Sequence, residues 1–357
     1  MIIFIGPVLK PVTGQSLAFN IISKEYDGDK KIFLYTSKNC NTIVFIYSML
    51  LIYLRFISSL IVHRNISSIY ITTSRSTFGF FRDMVFIVLA NLFSIKVVNH
   101  LHGADFRDFR ASKSKLFIKL IDFVYKKVNI SIVLLPKMIE QYEMYEKMRV
   151  VTVSNCAIPS VCDLVAKPKY HELSILYLSN IMFSKGIIYL ISAVDKMVES
   201  NSKVSLHVAG NFMGDDYMSS SEIEEEFKTS ISNRDYIHYH GSVSGKEKDL
   251  LLSNSDVFVL PSFYPTEAQP ISIIEAMMAK TAIITTNHNY LPDMVTEKNG
   301  YLINPKSTDQ IVAALKSLDK DRERLNSICE HNYNHAMKEY TMQKYVDEIS
   351  HVLNDKD

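Results

Sequence analysis

The sequence predicts an α/β protein whose parallel sheets are wound with helices and divided between two domains. Three observations predict it. At 357 residues the chain exceeds what one ordinary hydrophobic core holds. Short apolar runs such as Val257 to Leu260 and Ala282 to Thr285 sit beside stretches of helical periodicity. Finally, Asp256 to Thr286 reads as strand, turn, helix and strand, which is one parallel crossover unit. The loop leaving a strand's C-terminal end in such a unit is where open parallel sheets bind ligands.

The composition is globular: 47% hydrophobic and 22% charged, with no low-complexity tract or evident repeat. Cys40, Cys156, Cys162 and Cys329 show no C-x-x-C spacing. Neither a zinc site nor a disulfide framework is therefore expected, and reduced thiols in a cytoplasmic protein are the simpler account. The net charge of +1 is unevenly placed. Up to Asp163 there are 20 Lys and Arg against 11 Asp and Glu; beyond it, 19 against 27. A basic N-terminal half suits an anionic partner such as a phospholipid surface or a lipid diphosphate. Complementarity to the other domain is the alternative. Nucleic acid is not an expected partner.

Taken in order, Ile2 to Gly6 reads as a first buried strand rather than a secretory signal, because MIIFIGPVL lacks a basic leader and a small-residue cleavage site. The turn GPVLKPVTGQS follows, with a helix expected from Ser16. A glycine loop there lets the backbone approach a phosphate or sugar, although the full dinucleotide fingerprint is missing. Ile32 to Thr36 is a second strand. Ile43 to Val62 is almost wholly apolar, Arg55 being its one charge, and about as long as a membrane span. Arg55 and the strand expected at Ser68 to Thr72 argue against spanning. A helix buried on one face and dipped into a membrane interface on another is favoured, with an ordinary core helix as the alternative.

Met84 to Phe93 is a further apolar helix leading into the strand Val97 to His100. Beyond that strand stands His102, followed by Gly103 and near Asp105 and Arg107. A lone histidine is usually structural, but in this loop it can bond or polarise a sugar hydroxyl. Lys113 to Lys127 is a basic amphipathic helix. Ile130 to Leu135 is a strand, a helix starts at Pro136, and Val150 to Val153 is another strand. Asp163 to Tyr170 reads as a linker. Ser174 to Leu178 opens the second half as a strand, and Lys185 follows before a helix. Leu206 to Gly210 is a strand and turn, Glu222 to Lys228 a solvated acidic helix, Tyr236 to Val243 a strand ending at Gly241, and Lys246 to Ser253 a helix.

In the central stretch Pro270 marks the first turn of a helix on which Ile274, Met277 and Met278 recur. Glu267 lies in the loop before it, near the free amides about Ile271 and Ser272, and Glu275 lies eight residues on. Those amides and the helix dipole favour an anion, typically a phosphate. A loop carboxylate, an amide cradle and a second carboxylate together suit a sugar diphosphate. Two surface glutamates on a soluble helix are the plain alternative.

The segment PSFYPTEAQPISIIEAMMAK resembles, almost position by position, the PS-x-x-E-G-x6-E-A-M-A-x-G signature of the retaining glycosyltransferases of family 4, with the GT-B fold of two Rossmann-like domains facing across a cleft. Ala268 and Lys280 stand where the family carries glycine. SNIMFSKG resembles the family's G-R-L-x-x-x-K-G, with Asn180 in place of arginine. His102 and Gly103 resemble its HG element, and SNCAIP its Asn-Gly closure with Cys156 for glycine. NHNYLPDMVTEKNGYLINPKSTDQIVAAL resembles its closing pattern, and the resemblance covers nearly the whole chain. It implies an acceptor-binding domain over 1–165, a donor-binding domain over 166–338, and a terminal helix over 339–357, near Gln343 to Leu353, crossing back to the first.

The resemblance also assigns roles. Glu267, His102 and Lys185 are the expected catalytic groups. Glu267 orients donor-sugar hydroxyls, Lys185 brings charge to the diphosphate, and His102 bonds the sugar. Glu275 accepts from the ribose. Gly14, Gln15, Asn180, Gly210, Gly241, Val243, Ala268, Gln269, Pro270, Ile271 and Ser272 complete the donor site. The expected reaction moves a sugar, with retention, from a nucleotide-diphosphate sugar (UDP favoured, GDP-mannose possible) to a lipid-linked saccharide. A polyprenyl-diphosphate carrier, on the cytoplasmic face of the inner membrane, is the expected acceptor, as in surface polysaccharide assembly. No cofactor and no metal are expected. A nucleotide-sugar epimerase of the same fold, or a binding module without turnover, are the competing readings. A two-carboxylate glycoside hydrolase and a nicotinamide enzyme fit less well.

Overall fold

The computed structural model of the protein describes residues 1–9, 13–36, 42–158 and 172–355. In chain order the first run of elements is β1 (Ile2–Pro7), α1 (Gly14–Glu25), β2 (Lys30–Tyr35), α2 (Thr42–Val62), β3 (Ser68–Thr72), α3 (Thr77–Leu92), β4 (Lys96–His100), α4 (Phe106–Ala111), α5 (Lys115–Tyr125), β5 (Ile130–Val133) and β6 (Arg149–Thr152). The second run is β7 (Leu173–Leu178), α6 (Ile187–Glu199), β8 (Val204–Ala209), α7 (Ser220–Ile231), β9 (Ile237–Tyr239), α8 (Lys246–Asn254), β10 (Val257–Leu260), α9 (Ile271–Met278), β11 (Ala282–Thr286), β12 (Gly300–Ile303), α10 (Thr308–Lys320), α11 (Arg322–Glu339) and α12 (Met342–Asn354). They form two compact units. One holds Met1–Asn155 together with Met342–Asp357, the other Cys156–Thr341. The linker expected over Asp163 to Tyr170, and the domain break beside it, lie outside the described residues.

Each unit is built on a six-stranded sheet, of order β2-β1-β3-β4-β5-β6 in the first and β12-β11-β10-β7-β8-β9 in the second. Every pairing in both sheets is parallel. Parallel strands covered by helices on both faces need side chains that are apolar on both sides. That is what Ile2 to Ile5, Ile69 to Ile71 and Val257 to Leu260 supply, all of them buried. The expected strands are thus present and, apart from the one over Tyr236 to Val243, displaced by no more than a residue or two at their ends.

The helix expected from Pro136 is present as a 3-10 helix, Pro136–Tyr142. Two expectations are corrected. The strand expected over Tyr236 to Val243 is three residues long. Pro270 caps α9 from outside, and the helix begins at Ile271. In the first unit α12 packs on α1: Tyr345 donates to the carbonyl of Ala18 (3.3 Å), and the Tyr26 hydroxyl donates to Asn354 (2.9 Å).

Candidate functional site

In the second unit the strand order reverses between β7 and β10, so the loops leaving their carboxyl ends flank a ready-made crevice. After β7 the chain makes a short 3-10 turn, Phe183–Lys185, and ends it at Gly186 with φ of 79°. A Cβ on Gly186 would stand 2.2 Å from the carbonyl oxygen of Pro261, so only glycine lets this turn lie against the end of β10. The Phe263 amide donates to the Ser184 carbonyl at 2.7 Å and locks the two loops together.

That lock brings Lys185 and Glu267 into contact. The Lys185 ammonium lies 2.6 Å from Oε2 of Glu267, and the Ser262 hydroxyl donates to the same oxygen, also at 2.6 Å. The Lys185 and Glu267 side chains are 13% and 7% exposed, so the pair is held in a low-dielectric setting. Lys185 also sits 4.8 Å from the centre of the Tyr264 ring. The carboxylate expected near the amides of Ile271 and Ser272 is therefore engaged by Lys185 and Ser262. The α9 terminus itself carries no side-chain cap, which leaves its first amides available to an anion.

Beside the pair is a cavity of about 230 Å3, lined among others by Met182, Ser184, Asp215, Tyr217, Tyr264 and Thr266. Burial pushes the Asp215 carboxyl up, but bonds from Ser184, Tyr217 and Met218 outweigh it and hold the group below the usual range. Glu275 lies on the second turn of α9 and accepts from Lys248 of α8 at 2.6 Å. Gln269 and Ala268 are buried. The Gly210 amide donates to the Gly241 carbonyl at 2.7 Å, closing the ends of β8 and β9 on each other. A Cβ on Gly210 would stand 1.8 Å from the Ser179 carbonyl, so that approach needs glycine. Val243 is half-buried beyond Gly241. Asn180 is exposed, and its amide contacts Met213 sulfur at 3.5 Å.

The remaining predicted residues belong to the first unit. Gly14 and Gln15 are the first two residues of α1, where Thr13 and Ser16 cap each other reciprocally. The tip of the preceding loop, residues 10–12, lies outside the described residues. His102 stands past β4, its ring centre 4.0 Å from that of buried His100, whose Nδ1 bonds the Tyr70 hydroxyl at 2.6 Å. Burial pushes His102 down to about 3, the Arg75 charge adding and a bond to Asn155 opposing, so the ring is neutral. Arg75 pairs with Asp105 and lies against Gly103, where an added Cβ would meet its guanidinium at 2.3 Å. Asp105, expected beside His102, is thus taken by Arg75.

Lys248, Ser262, Asp215 and Arg75 were not singled out by the sequence. Only Ser262, inside the signature itself, carried any local signal. The others act across gaps of tens of residues. Among the described residues no group of three or more His, Cys, Asp or Glu is placed to hold a metal ion.

Two Rossmann-like parallel sheets, with the Lys185–Glu267 pair and an open helix terminus at a switch point, define a glycosyltransferase fold of the GT-B class. A model of the glycosyl transferases group 1 matches residues 166–344, half of the chain, and the protein belongs to that family. An uncharacterized glycosyltransferase of Methanocaldococcus jannaschii is 31% identical over 39% of this chain and 34% of its own length. The putative colanic acid biosynthesis glycosyltransferase WcaL of Escherichia coli is 27% identical over 31% of each chain. The match thus spans about a third of the length of these curated relatives. Anabaena HepE, in a crystal structure with UDP and glucose, superposes with a TM-score of 0.75 at 13% identity, covering 99% of both chains. Sucrose-phosphate synthase from Thermosynechococcus elongatus superposes equally, at 0.75 and 14% identity over 99% of this chain and 98% of its own.

Proposed function

We propose that the protein transfers a sugar, with retention of configuration, from a UDP-sugar to a hydroxyl of a lipid-linked saccharide. The observation that carries this reading is the buried Lys185–Glu267 pair beside the uncapped terminus of α9. A donor diphosphate entering there meets helix amides and a cation, which together stabilise the charge that develops as the sugar leaves. Lys185 then shifts its charge from Glu267 toward the phosphate, and Glu267 is released to accept from donor-sugar hydroxyls. Glu275, with Lys248 beside it, accepts from the ribose. Gly210, Gly241 and Val243 frame the base, and Gln269, Ala268 and Ser272 line the phosphates. The departing phosphate takes the acceptor's proton, so the protein's contribution is positional and electrostatic, with neither metal nor cofactor.

The complexes of HepE with UDP and glucose support a UDP donor, and the name of WcaL supports a role in surface polysaccharide assembly. We place the protein at the cytoplasmic face of the inner membrane, with a polyprenyl-diphosphate saccharide as acceptor. The test is nucleotide release from a panel of UDP- and GDP-sugars with extracted lipid-linked oligosaccharide, wild type against Glu267→Ala. Acceptor-dependent release from one UDP-sugar, lost in the variant, is expected. Failure to bind any nucleotide sugar would overturn the reading.

A further inference from the structure

We propose that the outer face of the helical layer formed by α2, α3 and α5 seats the protein on an anionic phospholipid surface. This deepens the lipid-linked acceptor reading, and rests on it only for its purpose; the surface is argued from the first unit alone. The three helices pack in a row, α2 on α3 and α3 on α5. Tyr53 of α2 meets Phe86 of α3 at 5.0 Å between ring centres, and Phe81 of α3 meets Phe117 of α5 at 5.5 Å. Right-handed crossovers place these helices on one face of the sheet and α1, with α12, on the other.

The side of this layer that faces away from the sheet is apolar. Of the window Val44–Val62, only 22% is buried. Met49, Phe56 and Leu60 point inward, whereas Ile46, Tyr47, Leu50, Leu54 and Ile61 are exposed. Phe78 and Phe81 of α3 and Leu116 and Phe123 of α5 extend the patch. Leu51 and Leu54 also line a groove of about 510 Å3 between α2 and the edge strand β2, whose other walls include Ile32, Leu34, Lys31 and Arg55. An apolar patch this extended on a soluble surface marks an interaction site.

Charge decides the occupant. Helix α2 carries no acidic residue, and the single acidic residues of α3 and α5 are paired, Asp83 with Arg82 and Asp122 with Arg110. Arg55, Lys115, Lys119, Lys126 and Lys127 form no ion pair among the described residues. Leu116, Lys119 and Phe123 alternate along one exposed stripe of α5, and Lys127 covers the Phe123 ring at 4.4 Å. Apolar side chains that enter a headgroup layer, beside cations that meet its phosphates, suit a bilayer of anionic lipid. The helix lies on that surface rather than across it. Both its neighbours, β2 and β3, pair with β1 in one sheet, so neither end of α2 can leave for the far side.

The test is sedimentation of the full chain with phosphatidylcholine vesicles, with and without phosphatidylglycerol, at low and high salt. Partition onto the anionic vesicles, weakened by salt, is expected. Lys115→Ala/Lys119→Ala should bind about 30-fold more weakly, each lysine near such a surface being worth about 1 kcal/mol. Leu50→Glu/Leu54→Glu should abolish binding, while Lys316→Ala/Lys320→Ala on α10 should bind as wild type does. Equal partition onto neutral and anionic vesicles, or face variants that bind as wild type does, would overturn the proposal. So would self-association removed by Leu50→Glu/Leu54→Glu without any vesicle binding, which would make the occupant a second copy. Thermal melting of each variant reports its fold. Calorimetric binding of a nucleotide sugar to the same variants reads the donor site separately, so the two proposals fail by different results.

Discussion

Lys185 and Glu267 are 82 residues apart in sequence, yet each holds the other's charge within the second unit. Glu267→Gln keeps the shape and removes that charge; turnover is expected to fall about 100-fold or more, the scale of losing one preorganised electrostatic group. Steady-state kinetics beside a melting curve will separate this from misfolding. Gly186→Ala tests the backbone beneath the pair. Its positive φ and the 2.2 Å approach to the Pro261 carbonyl make any side chain strained. A loss of about 2 kcal/mol or more is expected in urea unfolding, with weaker donor binding as Lys185 moves. Lys280 shows the opposite case. It stands where the resembling signature has glycine and adopts φ of 56°, held by an ion pair to Glu330 and by the Tyr333 ring. Lys280→Gly relieves about 1 kcal/mol of backbone strain and loses a surface contact of similar size, so a near-neutral change in unfolding free energy is expected. Ala268, the other departure, is not among the residues with positive φ, and its methyl needs no strained backbone.

At the scale of elements, α12 is built into the core of the first unit. It buries Tyr345, Val346, Ile349, Val352 and Leu353, and Lys96 donates to the carbonyl of Asp355. Burying five such side chains is worth about 1.5–3 kcal/mol each. Truncation after Thr341 is therefore expected to unfold the first unit, read as rapid proteolysis of residues 1–155. Helix α2 illustrates how far a sequence alone reaches. Its apolar run and its place between two strands were legible, and so were the arguments against spanning. Which side chains turn inward depends on what the sheet and the next helix offer, namely Phe33 of β2 and Phe86 of α3 against Phe56. Helix α4 escaped notice because its six residues are too few to show a period.

For the molecule as a whole, the buried histidines set an acid limit. Burial lowers His102 to about 3 and His100 well below its ordinary value, with His102 adding to the latter. Both are neutral when folded, while in the unfolded chain they titrate near 6.5. The unfolded state therefore binds more protons below that pH, and the folded state loses stability as the pH falls from about 6.5 toward 3. The loss is up to about 1.4 kcal/mol per pH unit for each histidine. Urea midpoints measured at pH 7.5 and pH 5 should show it, and His102→Phe should flatten the slope. No such loss is expected above pH 7.

The sequence by itself determined the alternation of buried strands and helices, the two-sheet α/β plan and the positions of Glu267, Lys185, Glu275 and His102 beyond strand ends. These are local properties, written in runs of a few residues. Only the tertiary structure decided who partners whom. Lys185 and Ser262 hold Glu267, Lys248 holds Glu275, and Arg75 takes Asp105. It also decided that α2 turns most of its apolar surface outward. A carboxylate's partner and a helix's buried face depend on residues far away in the chain, and neighbouring residues do not encode that distance.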